Sequence, residues 1–216
     1  MASLSRMAST TPLLLHVPPP PSPPPSPPPS PPPSSSILVY LFGKPGSGKT
    51  YVGKVLSDNY NFAFHDADDW LPRDMIETLQ QGNAFTTEMR DRYYSIVNAN
   101  IQELLDADTA NERPRKRLAI AQATYKNIHR ERLIATFPFV SLWMVSANEK
   151  VRVTRCTLRT KALVPEGSKA ANAKWVLKHS SGFEPPTHHH SILLNNGSNL
   201  EVLKSSIDDV LAGIPQ

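Results

Sequence analysis

Ile37-Leu38-Val39-Tyr40-Leu41-Phe42 runs directly into Gly43-Lys44-Pro45-Gly46-Ser47-Gly48-Lys49-Thr50, and these two stretches decide the fold. The first is apolar, β-rich, too short for a buried helix and bounded by Ser and Gly, so it reads as a central parallel strand. The second meets G-x-x-x-x-G-K-[ST] at every fixed position and stands where that motif requires, between a strand and a helix. Glycines let the backbone wrap a phosphate with its N–H groups converging, where side chains would obstruct it. Residues Gly43, Lys44, Pro45, Gly46, Ser47, Gly48, Lys49 and Thr50 are therefore expected to bind ATP or GTP. Lys49 is expected to reach the β- and γ-phosphates and the Thr50 hydroxyl to ligate Mg²⁺. A helix from about Gly48 to Asn59 would turn its positive end toward the same phosphates.

A phosphate loop specifies a nucleotide, and the position of the second acid specifies the class of reaction. Motor and helicase ATPases carry a carboxylate at the end of a later apolar strand. Here Arg117 to Ala121 runs into Gln122, and Val140 to Val145 runs into Ser146. The acids follow the second strand, Asn61 to Phe64, as His65-Asp66-Ala67-Asp68-Asp69. Open parallel sheets bind ligands at that strand edge. Asp66 is expected to hold Mg²⁺ through water, and Asp68 to accept the proton of an acceptor hydroxyl. Asp69 and Arg73 join Asp68 on the expected substrate side.

Elsewhere the chain alternates strand and helix. Glu88 to Asp106 places Tyr94, Val97, Ile101, Leu104 and Leu105 on one helical face, and Tyr125 to Ala135 is a shorter helix. Ser146-Ala147-Asn148-Glu149 and Ser198-Asn199-Leu200-Glu201 read as capping boxes, the first opening a helix to about Arg159. Ser191 to Leu194 is a fifth strand. Thr160 to Asn172 is polar, with Pro165 and Gly167, and reads as a loop that closes over reactants. Arg152, Arg155, Arg159 and Lys161 approach it from the preceding helix, the three arginines sharing a face.

Composition sets the outer limits. Of 22 prolines, 14 lie in the first 36 residues, where serine-punctuated proline runs offer nothing apolar to bury. The expected organisation is a Pro-rich segment over 1–36 and one α/β domain over 37–216. The segment's acid-poor start reads either as an organelle transit peptide, for plastid or mitochondrion, or as the spacer of a cytoplasmic protein. With 39% hydrophobic and 19% charged residues and no long apolar run, the rest is expected to be soluble and not to engage a membrane. The net charge of +4 is mild and gives no indication of a nucleic-acid partner. A single cysteine, Cys156, excludes an intramolecular disulfide and a cysteine-based zinc site. His188-His189-His190 reads as a solvated loop, since three adjacent side chains do not converge on one ion without an irregular backbone.

Taken together, the phosphate loop, the Asp66-Ala67-Asp68-Asp69 cluster, the Arg-bearing helix before a lid, Gly182-Phe183-Glu184-Pro185-Pro186 and Asn195-Asn196-Gly197 resemble the gluconate kinases of the shikimate-kinase-like group. The resemblance covers roughly 37 to 211. It implies a three-layer α/β/α P-loop fold with a five-stranded parallel sheet of order 2-3-1-4-5, and transfer of the ATP γ-phosphate to a hydroxyl of a sugar acid. It also implies that Arg159 is a lid arginine and that Asn195 to Gly197 lie near the adenine; Arg155 and Asn196 are the residues expected to join the loop in binding the nucleotide. The departures fall on the substrate side. The family's Leu-His-Pro stands here as Trp70-Leu71-Pro72, and its Cys-Ser-Ala-Leu-Lys as Ala121-Gln122-Ala123-Thr124-Tyr125, with Lys126 one place on. Its Arg-x-x-His-Phe at the lid becomes Arg159-Thr160-Lys161-Ala162-Leu163. The leading expectation is an ATP- and Mg²⁺-dependent small-molecule kinase. A nucleoside or nucleotide kinase, and a nucleotide-binding regulator without catalysis, stay open beside it, as does the oligomeric state.

Overall fold

A computed structural model describes residues 36–81, 83–107, 117–163, 180–197 and 199–214, excluding the side chains of 80 and 159–163. Five strands alternate with helices: β1 (Ile37–Phe42), α1 (Lys49–Tyr60), β2 (Ala63–Asp66), a 3-10 turn (Ala67–Trp70), α2 (Arg73–Gln80) and α3 (Thr87–Asp106). Then come β3 (Arg117–Ala121), α4 (Asn127–Thr136), β4 (Val140–Ser146), α5 (Glu149–Leu163), β5 (Ser191–Leu194) and α6 (Leu200–Ala212). All pairings are parallel and the sheet order is β2-β3-β1-β4-β5. This is the order the resemblance implies.

The apolar run of β1 explains the layering. Its side chains alternate across the sheet. Leu38, Tyr40 and Phe42 enter one core with Leu118, Ile120 and Leu142, covered by Tyr93, Val97, Ile101 and Leu105 of α3 and Leu133 of α4. Val39 and Leu41 enter the other with Trp143, Val145 and Leu193, covered by Val52, Val55 and Leu56 of α1 and Leu203 and Ile207 of α6. A strand buried on both faces reads as continuous hydrophobe because two helical layers need it.

Several boundaries differ from the sequence reading, each for a local reason. The second strand begins at Ala63 and not Asn61, because Asn61 ends α1 in the left-handed region (φ 57°) with its N–H on Leu56 O. Asp66 is therefore the last residue of β2 itself. The buried stripe of α3 is Tyr93, Val97, Ile101 and Leu105 at strict four-residue spacing, so Tyr93 and not Tyr94 faces the core. The caps of α5 and α6 are asparagines: Asn148 Oδ1 accepts the Val151 N–H at 2.9 Å, and Asn199 Oδ1 accepts the Glu201 N–H at 3.2 Å. Each stands where the capping boxes put the residue after the serine, or two after it. The fourth strand includes Ser146, and α4 runs from Asn127 to Thr136. The helix α5 extends to Leu163, so the first four residues of the expected lid, 160–163, are helical; 164–172 lie outside the described residues. So do 1–35 of the Pro-rich segment.

One packing constraint ties α1 to the sheet. A Cβ on Gly53 would lie 2.0 Å from the Phe64 ring, so glycine is what lets α1 approach β2. Among the described residues no helix is long and apolar enough to cross a membrane.

Candidate functional site

The loop between β1 and α1 leaves the sheet at its C-terminal edge. Ser47 N–H returns to Lys44 O at 3.2 Å and tightens the turn. Gly48, at the head of α1, holds φ 96°, and a Cβ there would meet Asn195 Nδ2 at 2.2 Å. Glycine is thus required twice over, for its conformation and for its size. Val52 N–H opens the helical ladder onto Gly48 O, and the N–H groups before it belong to the open, positive end of the helix. Lys49 Nζ folds back along the loop and donates to Gly43 O at 3.1 Å and Lys44 O at 3.5 Å.

The structure brings the second acid to the loop. Thr50 Oγ1 donates to Asp66 Oδ2 at 2.7 Å, and Asp66 Oδ1 accepts the Asp68 N–H at 3.2 Å. A hydroxyl and a carboxylate in contact at a strand end are hard oxygen donors of the kind Mg²⁺ takes, with water completing its shell. Asp68 and Asp69 stand exposed on the 3-10 turn that follows. Arg73 is exposed too, with Nε on Glu77 Oε1 at 3.0 Å along the outer side of α2.

The arginines of α5 address the loop from the other side. Arg152 is buried, its Nη1 donating to Ser180 Oγ at 3.1 Å and Pro45 O at 3.4 Å. Arg155 Nη1 donates to Asn195 O at 2.9 Å, Ser47 O at 3.2 Å and Gly46 O at 3.3 Å, and its Nη2 to Asn195 Oδ1 at 3.2 Å. Both side chains brace the carbonyl side of the loop, leaving its N–H groups to face a ligand. Asn196 Oδ1 accepts the Asn148 N–H at 2.7 Å, joining the end of β5 to the start of α5. The Arg159 side chain lies outside the described residues. Ser47 Oγ and Asn195 Nδ2 are buried beside the loop with no hydrogen-bond partner among the described residues. The loop, Lys49 and the Thr50–Asp66 pair fit a magnesium-bound triphosphate.

Sequence reasoning missed the opposite wall. Tyr40 OH and Thr124 Oγ1 are 2.9 Å apart, and Thr124 Oγ1 donates to Gln122 Oε1 at 2.5 Å. Burial pushes the Tyr94 phenol up to about 12, and Asp68 adds a small upward push of its own. Burial likewise holds Tyr40 far above the ordinary phenol range. Beyond Tyr94, whose ring stacks on His129 at 3.9 Å, α3 and α4 open into a cleft of about 460 Å³ lined by Arg90, Asp91, Lys126, His129, Arg132 and Glu184, among others. Asp91 is paired with Arg132 at 2.6 Å and Glu184 with Lys126 at 2.9 Å. Among the described residues Arg90 has no carboxylate partner, so it is the uncompensated cation of the cleft. The available signal was its spacing: Arg90 lies one turn before Tyr94, beside the buried stripe. Arg130, fully buried, was missed because a buried arginine has no sequence signature.

These observations define a P-loop kinase-like α/β fold. Comparison with known proteins agrees at that level and no finer. The gluconokinase of Sinorhizobium meliloti 1021 superposes with a TM-score of 0.62 at 15% identity, over 82% of this chain and 93% of that one. A sugar kinase from Janibacter sp. HTCC2649 gives 0.59 at 20% identity, with the same 82% and 93% coverage. The Mycobacterium tuberculosis APS kinase, solved with AMPPNP and APS, gives 0.51 at 16% identity over 83% and 99%. No protein-family model matches the chain, and no curated protein matches it.

Proposed function

We propose that this protein transfers the γ-phosphoryl group of ATP to a hydroxyl of a small, acidic acceptor, a sugar acid being the leading class. The observation that carries the reading is the Thr50–Asp66 contact beside a complete phosphate loop, with Asp68 next in line. Magnesium and ATP, when bound, supply the charged phosphoryl group. Lys49 and the helix end stabilise its negative charge, and most of the catalysis is positioning and electrostatics. Asp68 takes the proton as the acceptor oxygen bonds to phosphorus and the bond to the leaving ADP oxygen breaks. Arg90 supports an acidic acceptor, because a cation lining a cleft without a carboxylate partner is served by an anionic ligand.

The test is ADP release over a panel of sugar acids and nucleosides. Acceptor-dependent ADP with a sugar acid, and an acceptor KM raised about 10-fold or more in Arg90→Met, is the expected result. Turnover with nucleosides alone replaces the acceptor class. ATP binding without acceptor-dependent ADP replaces the kinase with the regulator that the altered substrate-side motifs also fit.

A further inference from the structure

The segment Phe183-Glu184-Pro185 has no role in the chemistry above, yet it is bonded to both halves of the site. On one side it holds the loop between β3 and α4. Glu184 N–H donates to Tyr125 O at 2.9 Å, and the Glu184 carboxylate accepts the Asn127 N–H at 2.8 Å and Lys126 Nζ at 2.9 Å. Asn127 Nδ2 donates to Pro185 O at 3.0 Å. The buried Arg130 guanidinium bonds Thr124 O at 2.7 Å and Glu184 O at 2.8 Å, lying against the rings of Phe42 and Phe183. Glu184 therefore both caps α4 and fixes the ammonium of Lys126 in the cleft. The same Asn127 N–H, followed by Lys126, holds the Glu184 carboxyl below its usual range.

On the other side the segment meets the phosphate loop. The Phe183 ring stacks on Phe42, the residue before Gly43, at 6.5 Å, and meets Tyr125 edge-on at 5.8 Å. Lys44 Nζ, inside the loop, stands 5.6 Å from the centre of the same ring. One aromatic side chain is thus held between a phosphate-loop cation and a tyrosine of the β3–α4 loop.

We propose that Phe183 and Glu184 are positioning residues that couple the two substrate sites: ordering the phosphate loop orders segment 183–185, and through it Lys126 and the first turn of α4. The coupling is reciprocal, so an acceptor that orders the first turn of α4 tightens the nucleotide site. The inference rests on the kinase reading.

The experiment is hydrogen exchange at the Asn127 amide in the full chain, with and without Mg²⁺ and the ATP analogue AMP-PNP, alongside calorimetric binding of the analogue. In the parent, saturating AMP-PNP slows Asn127 exchange by about tenfold. In Phe183→Leu, which keeps apolar volume but removes the ring, the analogue still binds and the slowing disappears. In Glu184→Ala, which leaves Phe183 in place, Asn127 exchanges fast in both states while the analogue binds. Analogue binding with Asn127 exchange unchanged in the parent overturns the coupling and leaves the kinase reading standing. So does a full-sized response persisting in either variant. Failure of the parent to bind AMP-PNP overturns both. If Phe183→Leu does not fold, Phe183→Met, read for the same loss of slowing with the Asn127–Glu184 bond intact, decides.

Discussion

Lys49 and Asp66 are both polar, both close to one loop, and stand in different relations to the proposed reaction. The Lys49 ammonium rests on loop carbonyls that a triphosphate would outbid, being fully charged where a carbonyl is only a dipole. Lys49→Met is expected to lower kcat by about 10² to 10³, the usual loss of one preorganised donor to a developing charge, as read by ADP release. Asp66 is tied to Thr50 and to the backbone of Asp68, so in the proposed reaction it would act on the metal side and on the aim of the acid beyond it. Asp66→Asn is expected to raise the Mg²⁺ half-saturation of nucleotide binding about 10- to 100-fold, as measured by magnesium titration. At this scale the sequence was legible where chemistry fixes spacing. The loop positions and the Asp66–Thr50 pairing follow from motif and strand end. Arg90, Arg130 and the Tyr40–Thr124–Gln122 hydrogen-bond cluster were not legible, because each takes its place only once β3, α3 and α4 are packed against β1.

The elements were legible to the extent that burial is periodic. Strands β1, β3 and β5 match the residues read from apolar runs: β1 and β3 because burial on both faces fixes their apolar length, and β5, an edge strand with Leu193 buried but Ile192 and Leu194 exposed, because polar residues bound its short run. The second strand was placed two residues early because Phe62 is buried as a helix-strand connector, not as strand. Tyr94 was mistaken for core because an aromatic at helical spacing looks the same whether it faces the sheet or the adjoining cleft. The junction of α1 and β2 yields a prediction of its own. With Phe64 ring carbons where a Cβ would sit, Gly53→Ala is expected to destabilise the protein by about 1–3 kcal/mol. A thermal melt checks it, and a companion Gly53→Ala/Phe64→Leu protein should recover part of the loss.

At the scale of the whole molecule, the described residues form one sheet with a helical layer on each face, and the elements that hold the phosphate loop all lie within 37–212. A chain starting near Ser34 is therefore expected to keep the melting temperature and the ATP affinity of the full chain. Calorimetry and differential scanning on both forms measure this, and a shortened chain that fails to fold would remove the division at residue 36. The sheet order carries one more consequence. The strand feeding the phosphate loop pairs Leu41 with Ala121 on one side and Leu38 with Val140 on the other. Its partners are thus made long after it, and loops of that length must close before any pairing rewards them. On the ribosome, β1 emerges before β3 and β4 and waits, apolar on both faces, until they arrive. The motif that stands nearest the start of the fold is among the last parts to become able to bind.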